Sequence, residues 1–187
     1  MSGLSPVEAW FGDGFARLHP LLQALHREGG RLEGPVRFRV GHGLAGVIGR
    51  GLLRRLGIDA ASPEQRPKQW LVVDIRHADG ALRWARRFGD GPEAVSWFRP
   101  VGRWPEGCWE ERAGPLMLRL AVDTDGGGWR WRQIGCRLWG LPLPAWLAPG
   151  IEAGKRIEDG QYRFDVAVRL PLLGEVLAWG GDMRMAC

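Results

Sequence analysis

Trp84, Arg87 and Phe88 fall within five residues of one strand-like stretch, two rings beside a fixed cation. Such a group suits a ligand with an acidic or polar head, held by the guanidinium, and an apolar body covered by the rings. Glu111, on a second strand-like stretch, is the candidate partner of Arg87. An Arg–Glu pair inside a barrel is costly unless well hydrogen-bonded; such costs are tolerated at sites, and a structural pair fits equally well. His42 stands between Gly41 and Gly43. Those glycines allow a sharp turn and close approach of a ligand, and the helix pattern that follows would aim its first amides at an anion. A tight strand-to-helix turn with His42 incidental reads the same residues. Trp131 and Phe164, on further alternating stretches, complete a candidate aromatic lining with Trp84 and Phe88.

Other chemistries lack their residues. His19 and His26 are seven apart, about 10 Å along a helix, too far for one metal. His19 suits a helix cap and His26 the last turn, where a cation complements the dipole. Three cysteines (Cys108, Cys136, Cys187) show no metal spacing and read as free thiols in a reducing cytoplasm; a Cys108–Cys136 disulfide is the less favoured alternative. Glu110 and Glu111 point to opposite faces of a strand, so they cannot share acid–base work. Asp123 and Asp125 offer too few oxygens for calcium. No Gly-x-Ser-x-Gly is present, so no serine nucleophile is expected, and no bound dinucleotide is predicted. No metal and no cofactor is predicted.

The elements that must position these residues are mostly strands. Ser5-Pro6-Val7-Glu8 opens a helix with a capping box, and a second helix starts at His19-Pro20 and stops at Gly29-Gly30. Val36 to Val40 alternates as a half-buried strand. Leu44, Val47, Ile48, Leu52 and Leu56 recur at helical spacing, weakened by Gly46, Gly49 and Gly51. Residues 59–68 read as a loop. From Gln69 onward short alternating runs follow one another, with Asp79-Gly80 and Asp159-Gly160 as hairpin turns. Arg86 reads as an interruption of its strand, and residues 138–149, with three prolines, as an irregular crossing. In Trp129-Arg130-Trp131-Arg132, alternation sends rings to one face and arginines to the other, which needs no nucleic acid.

Composition sets the outer bounds. The 187 residues suit one domain: a helical segment over 1–30, then a β-rich body over 31–187 with a helix near 44–56. No apolar run is long enough to span a membrane, and no secretory signal is recognisable. The net charge of +5 hints at an acidic partner, yet nearly all of it is arginine, with Lys68 and Lys155 the only lysines, as GC-rich coding produces. Eleven tryptophans in so short a chain must line a core, a pocket or an interface.

Several ordered segments carry a family resemblance: Leu18-His19-Pro20-Leu21-Leu22-Gln23-Ala24-Leu25-His26, Gly34, Gly41-His42-Gly43, Trp84-Ala85-Arg86-Arg87-Phe88, Ser96, and Glu111-Arg112-Ala113-Gly114-Pro115. Gly140-Leu141-Pro142-Leu143-Pro144, Leu147, Pro149, Phe164-Asp165-Val166 and Pro171-Leu172-Leu173-Gly174 continue it. The chain thereby resembles the bacterial family known as domain of unknown function 4166. It departs at Trp179-Gly180-Gly181, where the family pattern has an aromatic that is usually Tyr, so a hydroxyl is lost. The resemblance implies work beside dehydrogenase- or epimerase-type enzymes, on lipid-like or sugar-like molecules.

The expected fold is α+β, mainly antiparallel β: a closed or strongly curved, barrel-like sheet with two to three helices near the N-terminus, since tight turns make neighbours antiparallel and closure removes edges. The expected function is cytoplasmic binding of a small hydrophobic or acidic, lipid-like metabolite. An enzyme using His42 or Glu111 as acid or base is the alternative, and nucleic-acid binding a weaker one.

Overall fold

The computed structural model describes residues 4–58 and 69–186. The Ser5 hydroxyl accepts from the Glu8 N–H while the Glu8 carboxylate accepts from the Ser5 N–H, so α1 (Pro6–Phe11) begins on the expected capping box. A 3-10 stretch (Gly12–Arg17), which the sequence pattern did not reveal, leads to α2 (Pro20–Glu28). The Leu21 N–H donates to the His19 ring at the start of α2. The remaining helix, α3 (Gly43–Arg55), follows β1 (Gly30–Val40).

The other strands are β2 (Gln69–Ala78), β3 (Ala81–Phe88), β4 (Ala94–Val101), β5 (Cys108–Ala113), β6 (Leu116–Asp123), β7 (Trp129–Leu138), β8 (Leu141–Pro142), β9 (Gly150–Glu158), β10 (Gln161–Leu170) and β11 (Gly174–Met185). They pair in the order β6-β5-β4-β3-β2-β1-β11-β10-β9-β7, and β6 pairs with β7 to close the ring. The result is a ten-stranded antiparallel barrel with β8 as an extra strand on the end of β7. This is the expected closed antiparallel sheet. Its two-residue turns carry positive φ at both positions, 51° and 69° at Asp79-Gly80 and 50° and 73° at Asp159-Gly160, the twist that matches a hairpin.

The helical segment closes one mouth. The Trp10 indole N–H donates to the Val101 carbonyl, the His19 N–H to Gly127, and the Tyr162 hydroxyl to Leu21 at 2.5 Å, with burial pushing the Tyr162 pKa up to about 12. At the opposite mouth α3 packs on β11 and β1. A Cβ added at Gly49 would come within 2.0 Å of the Val176 carbonyl oxygen, so the glycine that weakens the helix pattern is what lets α3 touch β11. The loop expected over 59–68 lies outside the described residues.

Packing differs between the two halves of the barrel. Near α2 the interior is solid: Trp109, Trp129, Leu82, Ile75, Leu25 and Leu22 are buried. Towards α3 the inward-facing Phe38, Ile151, Phe164, Val166 and Trp179 are only half-buried. One seam is also open-edged there. β7 pairs with β9 only over Trp129–Arg132, after which the Gln133 amide accepts from the Ile151 N–H and donates to the Pro149 carbonyl, standing in for the ladder. Cys108 and Cys136 are buried free thiols. Among the described residues no helix is long and apolar enough to cross a membrane.

Candidate functional site

On β3, Leu82, Trp84, Arg86 and Phe88 face inwards, and Arg83 and Arg87 face out. Residues directly opposite across a ladder share a face. Trp84 is opposite Ser96 and Ile75, Arg86 is opposite Val73, and Phe98, next inward after Ser96, is opposite Glu111. Arg87 is therefore exposed on the outer wall and does not meet Glu111. Arg86 takes the place expected of Arg87. The reason is parity: a period of two cannot put Arg87 on the same face as Trp84 and Phe88. That signal was in the sequence, hidden because a charge on an apolar face reads as a break in the strand.

The Arg86 guanidinium donates to Ser96 Oγ at 2.9 Å, lies 4.0 Å from a Glu111 oxygen and covers the Trp84 ring at 5.4 Å. Burial lowers its pKa and the Glu111 charge opposes that; an arginine remains charged throughout. Although both residues point into a closed ring, 23% of the Arg86 side chain and 16% of the Glu111 side chain stay accessible to solvent.

Towards α2 lies a second polar group that sequence reasoning missed. Lys155 on β9 is opposite Trp129 and Phe164, hence inward. Its Nζ sits 4.5 Å from the centre of the Trp84 ring, 4.3 Å from that of Trp129, and 2.5 Å from His26 Nε2. The His26 ring stacks on Trp129 with centres 4.6 Å apart. Burial pushes the pKa of both groups well below the ordinary values, and Arg86 further disfavours charge on Lys155. Two cations cannot sit at such a distance, so the pair carries at most one positive charge. His26 is thus no solvated cation at a helix end: it is wholly buried, and its Nδ1 has no partner among the described residues. The hint was again parity, since Ile151, Ala153, Lys155 and Ile157 share one face.

Of the expected aromatic lining, Trp84, Phe88, Trp131 and Phe164 all turn inwards. Trp131 stacks on Phe98 with centres 5.6 Å apart, and Phe88 meets Phe38 at 5.5 Å. Phe38 also stacks on Trp179 at 6.5 Å. His42 is exposed, immediately before α3, makes no side-chain cap, and sits at the far mouth while Glu111 faces the interior. No group of three His, Cys, Asp or Glu side chains able to hold a metal exists among the described residues. Outside, arginines of the β1–β11–β10–β9 wall pair with carboxylates: Arg39 with Glu175 at 2.7 Å, Arg163 with Asp182 at 2.6 Å, and Arg169 with Glu152 at 2.6 Å.

A sequence model of the family described as Domain of unknown function (DUF4166) matches residues 18–183. The chain belongs to the DUF4166 family. The match takes in α2, β1 to β10, β11 as far as Met183, and all of His26, Arg86, Glu111 and Lys155, and it leaves α1 outside. No curated protein and no solved structure matches the chain. In this DUF4166 chain the aromatic before the paired glycines, Trp179, is an inward wall residue, and Gly181 beside it admits the backbone of Pro35, whose oxygen an added Cβ would approach to 2.2 Å.

Proposed function

We propose that the barrel interior binds a small amphiphile with an acidic head, a lipid-like metabolite whose head lies on Arg86 and whose apolar body lies among Phe38, Phe164, Val166 and Trp179. The carrying observation is that Arg86 and Glu111 keep solvent access inside a closed ring of strands. Arginine offers five donors in a fixed fork, and Ser96 occupies one, so a carboxylate or phosphate finds a bidentate partner. Arg86→Met is expected to weaken binding of a long-chain carboxylate about 10–100-fold and to leave the matching alcohol nearly unchanged. Isothermal titration on both ligands reads this; equal loss for both, or no binding by the parent chain, would sink the proposal. Buried free thiols fit the reducing cytoplasm, and a ligand carrier fits association with a dehydrogenase- or epimerase-type enzyme. The paired outer arginines leave nucleic acid the weaker partner.

One observation favours a second reading, enzymatic: the contact of Lys155 Nζ with His26 Nε2 beside Trp84. An uncharged amine there would attack an aldehyde or ketone carbon, the carbinolamine would lose its oxygen as water with His26 passing the proton, and a C=N bond would form. Borohydride reduction in the presence of a long-chain aldehyde is expected to fix one adduct on Lys155, read by peptide mass mapping. Adducts spread over the N-terminus and Lys68 alone would remove this reading.

A further inference from the structure

The mouth beside α3 differs from the plugged one in what it presents outwards. Among the described residues, six large apolar side chains are at least 63% exposed: Leu4, Leu44, Trp139, Leu141, Trp146 and Leu172. All but Leu4 project from this mouth: Leu44 from α3, Trp139, Leu141 and Trp146 from the 139–149 connection, and Leu172 from the β10–β11 turn. Scattered exposed apolar residues are ordinary, but five gathered around one opening are not.

Charge accompanies them. α3 carries Arg50, Arg54 and Arg55 and no acid; Arg137 and Arg112 stand one residue before the ends of β7 and β5, and residues 137–149 and 170–174 contain no Asp or Glu. The acids of the β3–β4 turn are Asp90 and Glu93, the latter held by Arg83 at 2.6 Å. Tryptophan and leucine tips with arginine behind them are what an anionic lipid surface receives. Behind the tips Leu143, Ala148, Leu170 and Leu173 are half-buried and pack against the core, as do Ile151, at the seam bridged by Gln133, and Val168. A protein partner would need the tips alone; a ligand leaving a bilayer needs apolar side chains between the tips and the interior as well.

We infer that this mouth docks on a bilayer bearing anionic lipid and that the barrel loads its ligand there, an inference that rests on the amphiphile-binding reading above. The test is co-sedimentation of the full chain with vesicles of phosphatidylcholine alone and of phosphatidylcholine with phosphatidylglycerol. The parent chain should bind the anionic vesicles and bind the zwitterionic ones more weakly. The combined Trp139→Ser, Trp146→Ser, Leu172→Ser variant should lose at least about tenfold in vesicle affinity while still binding a long-chain carboxylate from solution. Arg86→Met should dock like the parent chain while losing the carboxylate. No sedimentation with either vesicle, unchanged binding by the triple variant, or a parent dimer that the triple variant converts to monomer without any vesicle binding overturns docking, the last by making the rim a contact between copies. Docking that persists when no carboxylate binds in solution would instead overturn the ligand reading on which loading depends.

Discussion

Replacing Trp129 with alanine is expected to cost about 3–5 kcal/mol of folding stability, the range for a buried large aromatic. Trp129 is 1% exposed and is the ring at which the helical plug meets the barrel. Phe11 of α1 lies 5.1 Å from it, His26 of α2 4.6 Å, and Trp131 5.0 Å. Truncation opens a cavity in the solid half of the interior and takes from Lys155 one of its two indole faces. Urea unfolding with an unchanged slope would show the loss as a lower midpoint. Trp129→Phe separates ring from indole N–H. That N–H has no partner among the described residues, so the phenylalanine variant should recover most of the stability. Trp97→Ala, on the outer face of β4 and 37% exposed, is the control and should cost about 1 kcal/mol or less. A Trp129→Ala cost no larger than that of Trp97→Ala would mean that the plug is held elsewhere.

Stability should also rise between pH 7 and pH 10, and Lys155→Met should flatten the rise. The unfolded lysine titrates near 10.5 and is protonated through most of this range, whereas in the fold burial and Arg86 hold its pKa well below that value. The unfolded state therefore binds more protons, and stability climbs with pH by up to about 1.4 kcal/mol per unit. The contribution is complete above the unfolded pKa and is lost as pH falls through the window down to the folded one. His26 behaves alike below its ordinary 6.5, adding a loss on the acid side that Lys155→Met leaves in place. Two indole faces oppose this, because they favour an ammonium. Desolvation outweighs them here, since a full charge in an apolar site costs several kcal/mol and a buried cation–π contact returns about 2. Urea midpoints of both proteins across this range decide it. A flat profile for the parent chain would mean that the ammonium persists between the rings, and the imine chemistry would fall with it.

Local patterns carried most of the architecture. The capping box at Ser5, the alternation of Leu116 to Val122 and the Asp-Gly turns each name an element with its mechanism, and antiparallel neighbours follow from short turns. The 3-10 stretch between Gly12 and Arg17 left no pattern, because three-residue turns have no sustained periodicity. Gly49 of α3 was legible as a weakness and not as a contact, since its partner, the backbone of Val176, lies more than 120 residues away. The site was half legible. Its rings announced themselves by type, and Glu111 by position. Arg86 and Lys155 were passed over because a charge normally marks the solvent face; inside a barrel the same charge marks the exception. The meeting of Lys155 with His26, residues 129 apart, belongs to ring closure and to no local rule.

Ring closure has a consequence for the chain as it is made. Most neighbours in the barrel are successive in sequence, but β1 pairs with β11, and Val36 opposite Gly181 spans 181 − 36 = 145 residues. At a synthesis rate of about 5–20 residues per second, β1 waits roughly 7–30 s for its neighbour to exist. Throughout that interval its hydrogen-bonding edge is bare, and so is the apolar face that later lines the interior. The ribosome-bound chain is thus most exposed to misassembly at its earliest strand, and a chaperone following this protein would find its client at residues 30–40.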